Sequence, residues 1–197
     1  VIKHYDGICH VYVDSEANPA MAESITLNAK VQKPSVCNAL ETLLIHRDIA
    51  NEFAPLIARS LRENNVQLLG DKTLIEILSK GDPDIEIKAA SEEDWSTEYL
   101  DLILSIKVVD SLAEAIAHIN HYGSHHSDAI VTDSKGNAET FLNEVDSATV
   151  FWNCSTRFSD GEEFGFGAEI GISTDKLHAR GPMALKELCS YKYLVLG

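Results

Sequence analysis

Four thiols and a run of histidines are the side chains of this 197-residue chain with the greatest capacity for covalent or metal chemistry. Cys9, Cys37, Cys154 and Cys189 are widely spaced and form no C-x-x-C pair, so reduced thiols in a reducing compartment are expected. Cys9 shares a strand face with Val11 and Val13 in "ICHVYVD", and Cys189 sits beside Leu185 and Leu188 in "LKELC". Both are expected in the core. Cys37, in "KPSVCNALETLLIH", opens an apolar run. A helix or turn starting there would surround its sulfur with backbone N–H groups, stabilising a thiolate and then an oxyanion. Cys154, in "NCSTRF", follows an apolar strand, and Arg157 nearby would lower its pKa. Pattern leaves both open, with Cys37 ahead.

The histidines His118, His121, His125 and His126 cluster in "HINHYGSHH" at spacings that place some on one helix face. No cysteine or carboxylate completes a tetrahedral set, so the segment is expected to be a solvated helix end with no metal. The glycines of "GFGAEIG" (Gly165, Gly167 and Gly171) are one residue too long for the dinucleotide fingerprint and follow no strand, which makes them a flexible loop. Glu41 and Glu98 are expected at the surface, and no serine-nucleophile signature is present.

The elements that must position these residues alternate. Strands are expected at 8–14, "VQLLG", "DIEIKAA", "DLILSIKVV", "SDAIVT" and "SATVFWN". Between them run helices from about 17 to 31 (capped by Asp14 or Ser15), over "DIANEFAPLIARSLREN", "KTLIEILSK", "SLAEAIAHINHYG" and "KGNAETFLNEV". This order predicts an α/β domain with a largely parallel sheet. Residues 1–157 form that domain. Residues 158–197 form a glycine-rich tail of the same domain, mostly irregular, ending in a short helix and a strand.

Hydrophobic residues make up 45% and charged residues 24%, ordinary for a globular protein. A net charge of −15 argues against a nucleic-acid partner, but small anionic substrates need only a few local donors. No run approaches the ~20 apolar residues of a membrane span, so no membrane partner is expected. The chain opens without methionine and enters a strand at once, as a piece of a longer polypeptide would.

Three segments, "DGICHVYVD", "CNALETLLIH" and "STRFSDGEEFGFGAEIGISTDKLHARGP", together resemble gamma-glutamyl phosphate reductase, a branch of the aldehyde dehydrogenase superfamily. The likeness extends over "TEYLDL" and "HSDAIVT" and covers the catalytic domain. It implies an aldehyde-dehydrogenase-like fold whose N-terminal nicotinamide-binding domain lies outside this chain. It also implies NADPH-dependent reduction of L-glutamyl 5-phosphate to L-glutamate 5-semialdehyde, in proline synthesis. The matching nucleophile is Cys37, which makes Cys154 a bystander. The glutamate that contacts the nicotinamide ribose corresponds to Glu98. The loop "NCSTRF" offers Ser155, Thr156 and Arg157 to the substrate's α-carboxylate, with pairing of Arg157 to Asp160 or Glu162 as the competing account. His178 and Arg180 are further candidates for the phosphate. Where hydrolytic members carry a general-base glutamate this chain has Ile2, which suits transfer of the acyl group to hydride and not to water. The resemblance further implies a homo-oligomer. It places the protein in the cytoplasm if stand-alone, or in an organelle if it is the reductase half of an animal bifunctional pyrroline-5-carboxylate synthase. The isolated chain would then be inactive, a fragment or an oligomerisation module.

Overall fold

A computed structural model describes residues 6–197, so Ile2 lies outside the described residues. Seven strands form one sheet: β1 (Cys9–Val13), β2 (Leu40–His46), β3 (Gln67–Gly70), β4 (Lys88–Ala89), β5 (Ile103–Val109), β6 (Ser127–Val131) and β7 (Thr149–Trp152). Their order is β4-β3-β5-β2-β1-β6-β7, and every neighbouring pair is parallel. This is an α/β fold. The helices are α1 (Pro19–Val31), α2 (Arg47–Glu63), α3 (Lys72–Gly81), α4 (Leu112–Tyr122) and α5 (Lys135–Glu144).

A parallel sheet needs cover on both faces, and the sequence supplies it. Strand β1 is buried throughout, as is β2 except for its last residue, His46. Val11, Val13, Leu43 and Ile45 pack with α1, α2 and α3 through residues such as Ala22, Phe53, Ile57 and Leu74. Tyr12, Leu44 and Ile130 point the other way, onto Ile116 and Ile119 of α4 and Phe141 of α5. Each such side chain contributes roughly 1.5–3 kcal/mol over an exposed one. The covering helices therefore change faces at β1, where the strand order also reverses.

The carboxyl edge at that reversal is closed by Asp14, which is 1% exposed. Its carboxylate accepts from Tyr12 (3.0 Å), Thr132 (2.7 Å) and Asn137 (2.8 Å), joining the ends of β1 and β6 to α5. Neither Asp14 nor Ser15 caps α1. Asn18 does, accepting from the Met21 N–H, because Pro19 at the first helical position starts the helix later.

Other expectations are corrected. The strand in "DIEIKAA" is only Lys88–Ala89. The C-terminal residues form no helix and no strand: 185–188 make a turn and 189–197 are irregular and exposed. Cys189 is exposed accordingly, since the leucines beside it meet no partner surface. Between 158 and 197 the regular structure is an antiparallel hairpin, β8 (Gly171–Ser173) with β9 (Gly181–Met183). His118 and His126 are buried and not solvated. The end of α4 packs His118 against His10, Trp95 and Tyr122, and that burial above all holds its pKa down to about 2, so it stays neutral. Among the described residues no helix is long and apolar enough to cross a membrane, and no three His, Cys, Asp or Glu side chains are grouped to hold a metal.

Candidate active site

Cys37 lies in the turn between α1 and β2, at the amino edge of the sheet, and is half-buried. No helix begins there. The leucine- and isoleucine-rich run that follows is drawn into the central strand β2, so of the helix or turn expected at Cys37 it is the turn that forms. Burial first, then the carboxylates of Glu169 and Glu98, push the thiol pKa above its ordinary value, against the opposing pull of the residue's own backbone N–H and of Arg157. At rest Cys37 is a protonated thiol.

Three segments converge on it. The first is Gly7, just before β1. A methyl group on Gly7 would fall 2.0 Å from the Cys37 carbonyl oxygen and 2.5 Å from its Cα, so the two backbones touch. Cys9, buried in β1, donates its thiol to the same carbonyl at 3.2 Å. The second is the loop before β5. Glu98 is half-buried there and accepts the Gly7 N–H at 2.9 Å. Its neighbour Leu100 is in the left-handed region (φ 55) and donates its N–H to Glu41 at 3.3 Å.

The third segment returns from the opposite edge. After β7, Asn153 takes φ 54 and its side chain bonds Thr132 in both directions (3.0 Å each), which reverses the chain. Residues 155–159 then reach back to the cysteine turn. Thr156 donates to the Asn38 carbonyl at 2.7 Å, and the Asn38 side chain donates to the Ser159 carbonyl at 3.0 Å. Ser155 accepts the Arg157 N–H at 3.2 Å, and both Ser155 and Thr156 are buried. Arg157 pairs with neither Asp160 nor Glu162. Its guanidinium donates to Gln32 at 3.1 Å and to Asn38 at a shorter distance. Beside it opens a cleft of about 250 Å³ lined by Asn28, Gln32, Arg157, Phe158, Asp160 and Glu163. Cys154, half-buried in the reversal, has its thiol pKa raised by burial.

Cys37, Glu98 and the 155–157 turn are thus brought together, whereas His178 and Arg180 are differently engaged. His178 is exposed between β8 and β9. Arg180 is tied to Asp146, through the carboxylate at 3.0 Å and the carbonyl at 2.8 Å. Sequence reasoning missed Glu169, which takes the Gly161 N–H at 2.9 Å, and Gly7; neither has a local signature, because only the fold brings them to Cys37. It also placed Glu41 at the surface. Glu41 is fully buried, paired at 2.7 Å with the equally buried Lys30. A glutamate inside an apolar strand signals such a partner, but not which lysine supplies it. The glycines of the supposed fingerprint lie in open space, Gly165 and Gly167 at positive φ, with no phosphate cradle around them.

No family model matches the chain. Among curated proteins it is 55% identical over 197 residues to the gamma-glutamyl phosphate reductase of Limosilactobacillus reuteri, covering 100% of this chain and 46% of that protein. The enzyme of the same name from Opitutus terrae is 59% identical over 198 residues, again with 46% of its length covered. The chain therefore spans about half the length of the curated relatives it matches. The crystal structure of gamma-glutamyl phosphate reductase from Thermotoga maritima superposes on all of it with a TM-score of 0.93 at 49% identity, covering 46% of that chain. A lactaldehyde dehydrogenase, 15% identical with a TM-score of 0.59 over 77% of this chain and 40% of its own, shares the fold.

Proposed function

From its likeness to gamma-glutamyl phosphate reductases along its whole length, we propose that the chain belongs to that family and carries the acyl-accepting half of the reaction, with Cys37 as nucleophile. The substrate of this reading is L-glutamyl 5-phosphate, reduced to L-glutamate 5-semialdehyde with release of phosphate. The observation that carries it is the convergence of Cys37, Glu98 and Arg157 on one sheet edge, around a thiol held backbone to backbone against Gly7.

The Cys37 sulfur attacks the acyl carbon, the bond from that carbon to the phosphate oxygen breaks, and a thioester forms. The S–H proton leaves with the phosphate, so charge and atoms balance without a strong base at rest. The Cys37 backbone N–H, already against the sulfur, is the donor available to the developing oxyanion. Arg157, flanked by the cleft, receives the α-carboxylate, for which a guanidinium offers two parallel donors. Ser155 and Thr156 build the turn that presents it. His178 and Arg180 serve the leaving phosphate in this reading, Arg180 by exchanging Asp146 for it.

The donor set fits NADPH at one point. Glu98 uses one oxygen on Gly7, leaving a half-buried carboxylate beside Cys37 able to accept a ribose hydroxyl. Bound there, the cofactor supplies hydride to the acyl carbon.

The test is to expose the chain to acetyl phosphate and map acylation by mass spectrometry. A single acyl group on Cys37, absent from Cys37→Ser, is the expected result. Acylation of Cys154 in its place would sink the assignment.

A further inference from the structure

Lys30 and Glu41 form an ion pair at 2.7 Å with both side chains fully buried. The remaining lysine and arginine ion pairs among the described residues each leave a side chain at least partly open to solvent. Burying two charges costs desolvation that mutual attraction barely offsets, and an apolar pair of similar volume often does as well for stability. The placement of this pair suggests another role. Lys30 lies in the last turn of α1 and Glu41 is the second residue of β2, so the pair brackets residues 31–40, the connection that carries Cys37. Glu41 has a second partner: its other oxygen accepts the Leu100 N–H. Leu100 is held in the left-handed region, two residues from Glu98, and Glu98 in turn holds Gly7 against the Cys37 backbone. One buried carboxylate therefore joins the cysteine turn to the loop that presents Glu98.

We propose that Lys30 and Glu41 are positioning residues, a buried clamp that fixes the Cys37 turn and the Glu98 loop relative to one another. The charged and titratable groups around the clamp are Asp101, Glu98, Tyr99 and Cys9, and those around Cys37 are Glu169, Glu98 and Arg157. Burial raises the Glu41 carboxyl to about 7 and lowers the Lys30 ammonium, and each partner opposes that shift in the other. The role in catalysis rests on Cys37 being the reacting thiol, but the environment of that thiol can be read whether or not it reacts with substrate.

The experiment is iodoacetamide alkylation across pH on the whole chain, with Cys154 and Cys189 as internal references. The variants are the double substitution Lys30→Met with Glu41→Leu, which keeps an apolar core, and Glu41→Gln, whose single amide oxygen can accept from Leu100 or from Lys30 but not from both. With the clamp removed, the Cys37 turn loosens toward solvent. Its alkylation then quickens by at least about threefold, its apparent pKa falls toward the ordinary thiol value, and Cys154 is unchanged. Glu41→Gln, which breaks one of the two bonds, shifts the Cys37 profile in the same direction by less. A folded double variant with the parental Cys37 profile overturns the proposal. Should the double variant not fold, amide exchange on the parent decides: the Leu100 and Gly7 amides are expected to be protected and to open together, and exchange as fast as that of the exposed 190–197 amides would refute the clamp. Loss of acetyl phosphate reactivity with an intact clamp signature would instead count against the function proposed above.

Discussion

Gly7→Ala is the sharpest perturbation the site offers. The added methyl would lie 2.0, 2.5 and 2.6 Å from the carbonyl oxygen, Cα and carbonyl carbon of Cys37. Comfortable carbon contacts begin near ~3.5 Å, so something must move by about 1 Å or more. All three atoms are backbone, and no rotamer change relieves them. If the cysteine turn moves, it strains the Asn38 bonds to Thr156 and Ser159; if residue 7 lifts away, the Gly7 N–H leaves Glu98. A hydrogen bond to a charged group is worth roughly 1.5–3 kcal/mol, similar to the ~1–3 kcal/mol of overpacking. Alanine's smaller unfolded-state entropy returns about 0.4–1 kcal/mol. The net loss is about 2 kcal/mol, or roughly 4–8 °C in Tm for a chain of this size. Gly136→Ala is the control: nothing lies within 4 Å of its added methyl in α5, and it should raise stability by roughly 0.5 kcal/mol. Paired thermal melts and urea titrations read both. A Gly7→Ala protein melting within about 1 °C of the parent would show that the backbone contact does not fix the turn.

Two further outcomes follow from the geometry. Asp14 is held below its ordinary pKa because hydrogen bonds from Asn137, Thr132, Tyr12 and the Ser15 N–H outweigh the raising effect of burial. Its stabilisation is therefore complete above the unfolded value near ~3.9 and is lost as pH falls through the lower folded value, so urea midpoints of the parent should fall more steeply below about pH 4 than those of Asp14→Asn. Arg157→Lys should slow acylation of Cys37 by glutamyl phosphate by about tenfold while leaving acylation by acetyl phosphate, which has no α-carboxylate, unchanged. Equal slowing of both would reduce Arg157 to a structural partner of Asn38 and Gln32.

The alternation of apolar runs made the sheet legible, because a strand buried on both faces and a helix with one apolar stripe differ in period. The approximate positions of β1, β3 and β5 to β7, and of all five helices, follow from that contrast; β2 does not, since its run Leu40–His46 is not among the strands expected. It fails where pattern is answered by an absent or distant surface. "LKELCSYKYLVLG" reads as helix and strand, yet Leu188, Tyr191 and Leu194 stay exposed, with no core beneath them to bury an apolar face. It fails again at Glu41 and His118, whose polarity suggests solvent until Lys30 and the Trp95–Tyr122 pocket are in place.

The site was less legible, for a topological reason. In an open parallel sheet ligands usually gather at the carboxyl ends of the strands, where the order reverses. Here that position is filled by Asp14 with Thr132 and Asn137, a closed set of hydrogen bonds. The thiol sits at the other edge, before β2, reached by loops that precede β1 and β5 and by a segment that Asn153 turns back across the sheet. Residues 7, 37, 98, 157 and 169 are far apart in the chain and share no motif, so composition and spacing alone left both Cys37 and Cys154 open as nucleophiles, with Cys37 ahead. What separates the two thiols is their surroundings: Cys37 has two carboxylates, a guanidinium and a backbone contact from Gly7 around it, while Cys154 has burial and one backbone N–H. Of these two thiols, only the one in the turn bracketed by Lys30 and Glu41 has groups of both charges around it, which is why the proposed chemistry is assigned there.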